Sequence, residues 1–385
     1  MSSFSVLSLP QEQLENLEAL GYQSMTPVQM AALPPGLAGR DLVVQAQTGS
    51  GKTVAFGLPV LADINPRDFG TQALILCPTR ELAAQVATEI RRLARALPNL
   101  KVVVLCGGQP IGPQIGSLEH GAHIVVGTPG RVKDHLRKQT LTLPRLKTLV
   151  LDEADRMLDM GFSDDMTDII SETPSSRQTL LFSATFPDDI ASISAQYQRT
   201  PERITVSTQV ADGQIAQIFV RTQRSDKTQT LINLIQGYQP SAAVIFCQTK
   251  AAVHDLVIML KAQGVEAAGL HGDLEQRERD QVLLLFKQMS LRLLVATDVA
   301  ARGIDIDDVA AVIHYVPPLD VKTYLHRSGR TARAGRDGWA VTLAEYNQHT
   351  TCRIIQRGLR LEPQAPIEVF SNDARLRDLF SFIAE

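Results

Sequence analysis

Residues 41–53 read DLVVQAQTGSGKT. The stretch opens as a near-continuous apolar run, the signature of a strand covered on both faces. It closes on glycines followed by Lys52 and Thr53. The segment Ala46–Thr53, AQTGSGKT, fits the P-loop pattern, with Ala46 where a glycine usually stands. Glycines let successive backbone N–H groups turn inward around phosphate oxygens, and the helix that follows adds partial positive charge at its N-terminus. The spacing therefore predicts a cradle of Ala46, Gln47, Thr48, Gly49, Ser50 and Gly51. Lys52 supplies a full charge for the outer phosphates of a nucleotide, and the Thr53 hydroxyl a ligand for Mg²⁺. A glycine-rich turn with a solvent lysine is the plainer alternative; the strand before and the helix after weigh against it.

The same strand style recurs along the chain. ALILC, KVVVLC, HIVVGT, TLVLD, QTLLFS and RITVS follow in the first half, and AAVIFC, EAAGLH, RLLVATD, AAVIHY and WAVTLAE in the second. Between them lie stretches such as ELAAQVATEIRRLARAL, apolar at three- and four-residue spacing. This is an α/β chain, with mostly parallel sheets flanked by helices. The length of 385 residues suggests two domains. We read an N-terminal domain over 1–206, a small polar linker over 207–217, a C-terminal domain over 218–362, and a connector with a short terminal helix over 363–385. The Gln-Thr shared by VVQAQTGSGKT (43–53) and VIFCQTKAAV (244–253) is a weak internal duplication that points to two domains of one type.

Composition narrows the partners. Residues 1–206 hold 18 Lys+Arg against 21 Asp+Glu, and residues 207–385 hold 20 against 20. Neither half is a basic body, so any nucleic-acid contact must be local. No apolar run approaches a membrane span, and the N-terminus lacks the basic head and apolar stretch of a signal peptide. The four cysteines lie far apart with no CxxC pair, which indicates neither zinc nor a disulfide framework. A cytoplasmic protein without a membrane partner fits these features.

The second chemical motif is LVLDEAD, residues 149–155. An apolar strand ends in Asp152, Glu153 and Asp155, and acids at a strand's carboxyl end lie in the ligand crevice of an open α/β sheet. Alone, they read equally as a helix N-cap. With the P-loop upstream, Asp152 is expected to hold the magnesium and Glu153 to orient and deprotonate an attacking water.

At this point the chain resembles the DEAD-box ATP-dependent RNA helicases. GYQSMTPVQ (21–29) matches the adenine-reading Q motif, with Phe4 at the usual upstream distance. PTREL (78–82), Gly107-Gly108 and TPGR (128–131) match the RNA-contacting segments of the first domain, and SAT (183–185) the coupling motif. VIFCQT (244–249), Gln276 with Arg279, ATDVAARGID (296–305) and HRSGRTAR (326–333) match the second domain. The resemblance spans Phe4 to about Gly338, and implies two tandem RecA-like domains that use ATP and Mg²⁺ and bind RNA.

Residue by residue, the resemblance implies that Gln29 reads adenine, with Tyr22 or Phe4 packed nearby or simply in the core. It implies RNA backbone contacts from Pro78, Thr79, Arg80, Gly107, Gly108, Thr128, Pro129, Gly130, Arg131, Arg279 and Thr297. Asp305 falls at the ribose-contacting acid, and Ser183 and Thr185 at the link between nucleotide and domain interface. Arg330 and Arg333 fall at the arginine fingers for the γ-phosphate, and His326 and Arg327 at the brace of the interdomain contact; Arg336 lies outside the motif. Contacts to phosphates and 2′-hydroxyls fit a balanced net charge. LCGGQPIG, DEADRMLDMGFSD, LHGDLEQRERDQ and GRTARAG further resemble bacterial ribosomal-RNA helicases of the family, pointing to ribosomal RNA or pre-ribosomal particles. Those carry a C-terminal RNA-recognition domain. No aromatic segment of that kind is visible here, so either a helicase core cut from a longer protein or a shorter relative is expected. An ATP-gated RNA clamp, with incidental unwinding, has the same parts. A DNA-directed motor of the same superfamily is disfavoured by the Q motif and by the wording of residues 152–155.

Overall fold

The structure, a computed structural model, describes residues 3–46, 49–186, 188–206, 215–301, 306, 309–332, 337–361, 365–378 and 382. The chain divides into two compact units, Met1–Thr208 and Gln209–Glu385. In the first, the apolar runs become β1 (Leu42–Gln45), β2 (Ala73–Leu76), β3 (Val102–Leu105), β4 (Ile124–Gly127), β5 (Thr148–Leu151), β6 (Gln178–Ser183) and β7 (Glu202–Thr205). They pair in parallel in the order β3-β4-β2-β5-β6-β1-β7. Alternate side chains of each strand enter different cores. Leu42, Val44 and Ile75 pack on one face; Val43, Leu74 and Leu76 pack on the other. That two-sided burial is why the runs read as continuous rather than alternating.

The second unit holds β8 (Ile215–Arg221), β9 (Ala243–Cys247), β10 (Ala267–Leu270), β11 (Leu293–Thr297), β12 (Ala311–His314), β13 (Gly338–Ala344) and β14 (Ile367–Glu368). Its sheet, also parallel, runs β10-β11-β9-β12-β13-β8-β14. Counted from each unit's first strand, the two orders are the same. The counterpart of β1 is therefore β8. The Gln-Thr match had set β1 beside VIFCQT, which is β9 and corresponds to β2. The resemblance there is real but belongs one strand on. Thr79 after β2 and Thr249 after β9 both cap a helix, accepting from Leu82 N at 3.3 Å and from Ala252 N at 3.2 Å.

Strand β8 begins inside the stretch read as linker, and residues 207–214 lie outside the described residues. Near the C-terminus, the described residues form β14 and a 3-10 turn, Ala374–Arg377, rather than an α-helix. No described helix is long and apolar enough to cross a membrane.

Candidate active site

The register of the first sheet sets the site. Gln45 lies opposite Ser183, and Ala46 N–H extends that pairing onto Ser183 O at 2.9 Å. Asp152 N–H does the same one strand over, donating to Leu76 O at 3.0 Å. The loop after β1 and the acids after β5 thus leave the same edge of the sheet. The helix Lys52–Ala62 starts from Gly51, whose φ of 90° lies in the left-handed region. A Cβ there would come within 2.6 Å of Gln29 Nε2, so glycine is required on two counts. Phe56 of this helix meets Phe182 of β6 edge-on at 5.3 Å and ties it to the sheet.

Gln29 is buried and already engaged. It sits at the start of the helix Pro27–Leu37, where its Oε1 accepts from Thr26 N at 2.9 Å in a capping box. Its Nε2 donates to Gly51 O at 3.2 Å, and Thr26 Oγ1 donates to Ser50 O at 2.8 Å. The Q motif therefore holds the phosphate loop directly. Tyr22 is half-buried, donates to the Glu89 carboxylate and meets the buried Phe4 edge-on at 6.2 Å. Burial and then Glu89 hold its phenol protonated, well above the ordinary range. Gln47 and Thr48 lie outside the described residues.

Lys52 is 6% exposed and donates to Ala46 O at 3.2 Å; among the described residues it forms no ion pair. Asp152 is 3% exposed, and among the described residues its Oδ1 has no hydrogen-bond partner. Burial pushes this carboxyl up to about 6, with the Lys52 ammonium opposing and Glu153 reinforcing the rise. Glu153 is buried in the left-handed region at φ 52° and pairs with Arg156. Such a conformation costs a non-glycine residue about 1–3 kcal/mol and is held where the surroundings impose it. A buried carboxylate oxygen, unsatisfied among the described residues and near the P-loop lysine, suits an oxygen-seeking divalent ion. Among the described residues, no group of three or more His, Cys, Asp or Glu side chains could hold a metal by itself. Magnesium would thus share its ligands with nucleotide phosphates.

Asp155 explains the coupling motif. Its Oδ2 accepts from Thr185 N at 2.9 Å and from Thr185 Oγ1 at 2.7 Å. Ser183 Oγ accepts from Asp155 N at 3.3 Å and donates to Thr185 O at 2.6 Å. Burial raises the Asp155 carboxyl, but the Thr185 and Ser183 hydrogen bonds and Lys52 outweigh it, leaving the group below the usual range. The sequence already names Ser183 and Thr185 as the coupling motif and Asp155 as a strand-end acid; the hydrogen bonds that join Asp155 to that motif depend on a contact between distant segments.

On the same edge of the sheet, the turns after β2, β3 and β4 converge. Arg80 opens the helix Arg80–Leu93, and its guanidinium lies so close to Gly108 that any Cβ there would meet Nη1 at 2.0 Å. Arg131 closes the group, donating through Nη1 and Nη2 to Gln109 O, both at 3.0 Å. Thr128 and Pro129 start the helix Pro129–Arg137; the Thr128 side chain makes no capping hydrogen bond. Pro78, Thr79, Gly107 and Gly130 fall in the same turns.

In the second unit, Thr297 ends β11 and Arg279 Nη2 donates to Ala300 O at 2.8 Å, bringing these two together. Arg327 is buried and grips Asp298 with both edges, at 2.6 and 2.7 Å. It also donates to Val316 O at 3.1 Å and lies over the Phe246 ring at 5.0 Å. Its donors thus brace the second unit from within. Beside it, His314 is fully buried; burial and then Arg327 keep its imidazole neutral, well below the ordinary range. Arg330 is 7% exposed, with Nη2 on Ala301 O at 3.4 Å, and His326 is half-buried. Asp305, Arg333 and Arg336 lie outside the described residues.

Comparison with known proteins places this geometry. Residues 26–193 match the DEAD/DEAH box helicase family, and residues 226–335 match the helicase conserved C-terminal domain. The chain is 53% identical to the ATP-dependent RNA helicase DbpA of Escherichia coli (strain K12) over 363 residues, 94% of this chain and 79% of that protein. The chain belongs to the DEAD-box RNA helicases. As a DEAD-box protein it also resembles the ATP-dependent RNA helicase CshA of Listeria monocytogenes, 43% identical over 98% of this chain and 73% of that one. Among solved structures, S. cerevisiae Dbp5 bound to RNA and ADP BeF3 matches with a TM-score of 0.83 at 30% identity, covering all of both chains. A DEAD box protein from Methanococcus jannaschii matches at 38% identity with a TM-score of 0.54, over 95% of this chain and 98% of that one. The two units are tandem RecA-like domains of an ATP-dependent RNA helicase, and its nucleotide is ATP.

Proposed function

We infer that the chain locally separates RNA strands, or remodels RNA–protein complexes, through ATP-driven closure of its two domains. The observation that carries this reading is the Asp152 oxygen, buried with no hydrogen-bond partner among the described residues and under the field of the Lys52 ammonium. Thr53 and Asp152 would hold Mg²⁺, whose charge would neutralise the outer phosphates. Lys52 binds those phosphates, and Glu153 orients and deprotonates the attacking water. Gln29, with Tyr22 at the edge of the same loop, would sense adenine through the Gly51 carbonyl it already grips. The Asp155–Thr185–Ser183 bridge would carry the state of the nucleotide outward.

The remaining parts lie in the other domain, and that division supports closure. Arg330, and Arg333 with it, would face the γ-phosphate, which requires Arg330 to leave its Ala301 carbonyl. Asp305 would meet the ribose. RNA would run over Arg80, Gly107–Gly108, Thr128–Arg131, Arg279 and Thr297, gripped through its backbone. We assign the RNA to the large ribosomal subunit and the setting to ribosome assembly in the cytoplasm, on the wording shared with bacterial ribosomal-RNA helicases.

ATPase stimulation by fragments of large-subunit ribosomal RNA, against unrelated RNA and DNA of equal length, tests both levels. RNA should stimulate and DNA should not, with ribosomal fragments ahead. Equal stimulation by every RNA would remove the ribosomal assignment. ATP-dependent retention of RNA without strand separation would return the clamp reading.

A further inference from the structure

The second domain repeats the nucleotide corner of the first strand by strand, with a loop one residue shorter and the chemistry changed. Thr222 N–H donates to Ala344 O at 3.0 Å as Ala46 N–H donates to Ser183 O. Tyr315 N–H donates to Phe246 O at 3.0 Å as Asp152 N–H donates to Leu76 O. The helix Lys227–Tyr238 follows β8 as Lys52–Ala62 follows β1, and each begins Lys-Thr. Lys227-Thr228 thus stands where Lys52-Thr53 stands, Tyr315 where Asp152 stands, and Glu345 where Ala184 stands.

The groups that stand at the positions of Lys52, Thr53 and Asp152, namely Lys227, Thr228 and Tyr315, all have internal partners. Lys227 is 2% exposed and pairs with Glu345 at 3.3 Å. It also lies 5.1 Å from the Tyr315 ring centroid. The Thr228 hydroxyl shares a hydrogen bond with Tyr315 OH at 2.8 Å. Space for a ligand is nonetheless present: a concavity of about 640 Å³ opens beside the loop, lined by Gln223, Arg224, Ser225, Glu345, Tyr346 and Asn347. A phosphate entering it would meet the Glu345 carboxylate before it met Lys227, and two anions cannot share one buried cation without loss.

We propose that the second domain is a phosphate site closed by its own side chains: Glu345 gives Lys227 the negative charge that a nucleotide phosphate gives Lys52, and so confines phosphate ligands to the first domain. Burial pulls the Lys227 ammonium below its ordinary range and Glu345 opposes that pull. Without Glu345 the lysine would need another anion or lose its proton. The loop TQRSD lacks the glycines of the P-loop, so an opened second site would hold phosphate more weakly than the first.

Equilibrium binding of inorganic pyrophosphate to the full chain tests this. In a Lys52→Ala background, the natural Glu345 should allow no saturable binding. Glu345→Ala should create it, and adding Lys227→Met should weaken it at least ~10-fold. No gain with Glu345→Ala, or a gain that survives Lys227→Met, would overturn the proposal. If Glu345→Ala does not fold, Glu345→Gln takes its place with the same expectations. If neither folds, recovery by pyrophosphate or sulfate but not by chloride supports the proposal, and no recovery overturns it. Saturable binding to the Lys52→Ala chain with natural Glu345 would overturn the proposal if Lys227→Met removes it, and would instead strike the first-domain reading if it survives both changes.

Discussion

The corner at Lys52 and the corner at Lys227 sit on the same strand order, yet only the second is finished. Lys227 has Glu345, and Thr228 has Tyr315. Asp152 keeps an oxygen without a partner, Glu153 is held left-handed, and Lys52 has a backbone carbonyl. A fold that seeks stability alone satisfies its buried polar groups. The unsatisfied copy is the one equipped for chemistry, and the difference gives each corner a distinct mutational signature.

The largest effect should come from Lys52→Ala, with ATP turnover falling by ~10³-fold or more. Normal turnover in that variant would erase the contrast between the corners. Arg330→Ala should slow hydrolysis by ~10³-fold if the residue reaches the γ-phosphate. A loss below about tenfold would leave it as a brace on the Ala301 carbonyl. Glu153→Gln should slow single-turnover hydrolysis by ~10²-fold while ATP and RNA still bind; an unchanged rate would take the base role from Glu153. Lys227→Met should show the opposite profile. Turnover per folded molecule stays as it was, while urea unfolding loses about 2 kcal/mol because Glu345 is stranded.

Asp152→Asn should sharpen the comparison most gently. The ligand-free chain holds this carboxyl at about 6, above its ordinary 3.8. Between those values the folded state binds more protons than the unfolded one. Stability therefore falls as pH rises through that window, and the deficit is complete above it. The asparagine variant should lose turnover yet gain on the order of 2 kcal/mol at pH 7.5, with that pH slope removed. Equal stability of the two proteins at pH 7.5 would mean that Asp152 is satisfied after all.

Much of this was legible beforehand. Most first-domain strands announce themselves because both faces of LVVQ, ALIL and VVVL are largely buried; β7, with only Ile204 buried, is the exception. Strand β8, IAQIFVR, does not. Its first three residues are only half-buried, and they run on from a small polar stretch without a break in composition. With β8 unseen, nothing singled out Lys227, and the duplication was matched to β9 instead. The P-loop and the acids were readable because their chemistry needs fixed residue types at fixed spacing. Arg327 was placed at an interface by resemblance, whereas its bidentate grip on Asp298 depends on a contact between distant segments that no local pattern records.

The strand that carries each loop also waits longest for a neighbour. β1 pairs with β6 and β7, so a chain emerging from the ribosome must wait from Gln45 to Gln178 before that strand has a neighbour. β8 waits in turn from Arg221 to Gly338. Such long-range closure is slow relative to local folding. In each half, then, the sheet can begin to assemble among its other strands first. The phosphate loop is set in place near the end of synthesis, when nearly the whole domain exists to hold it.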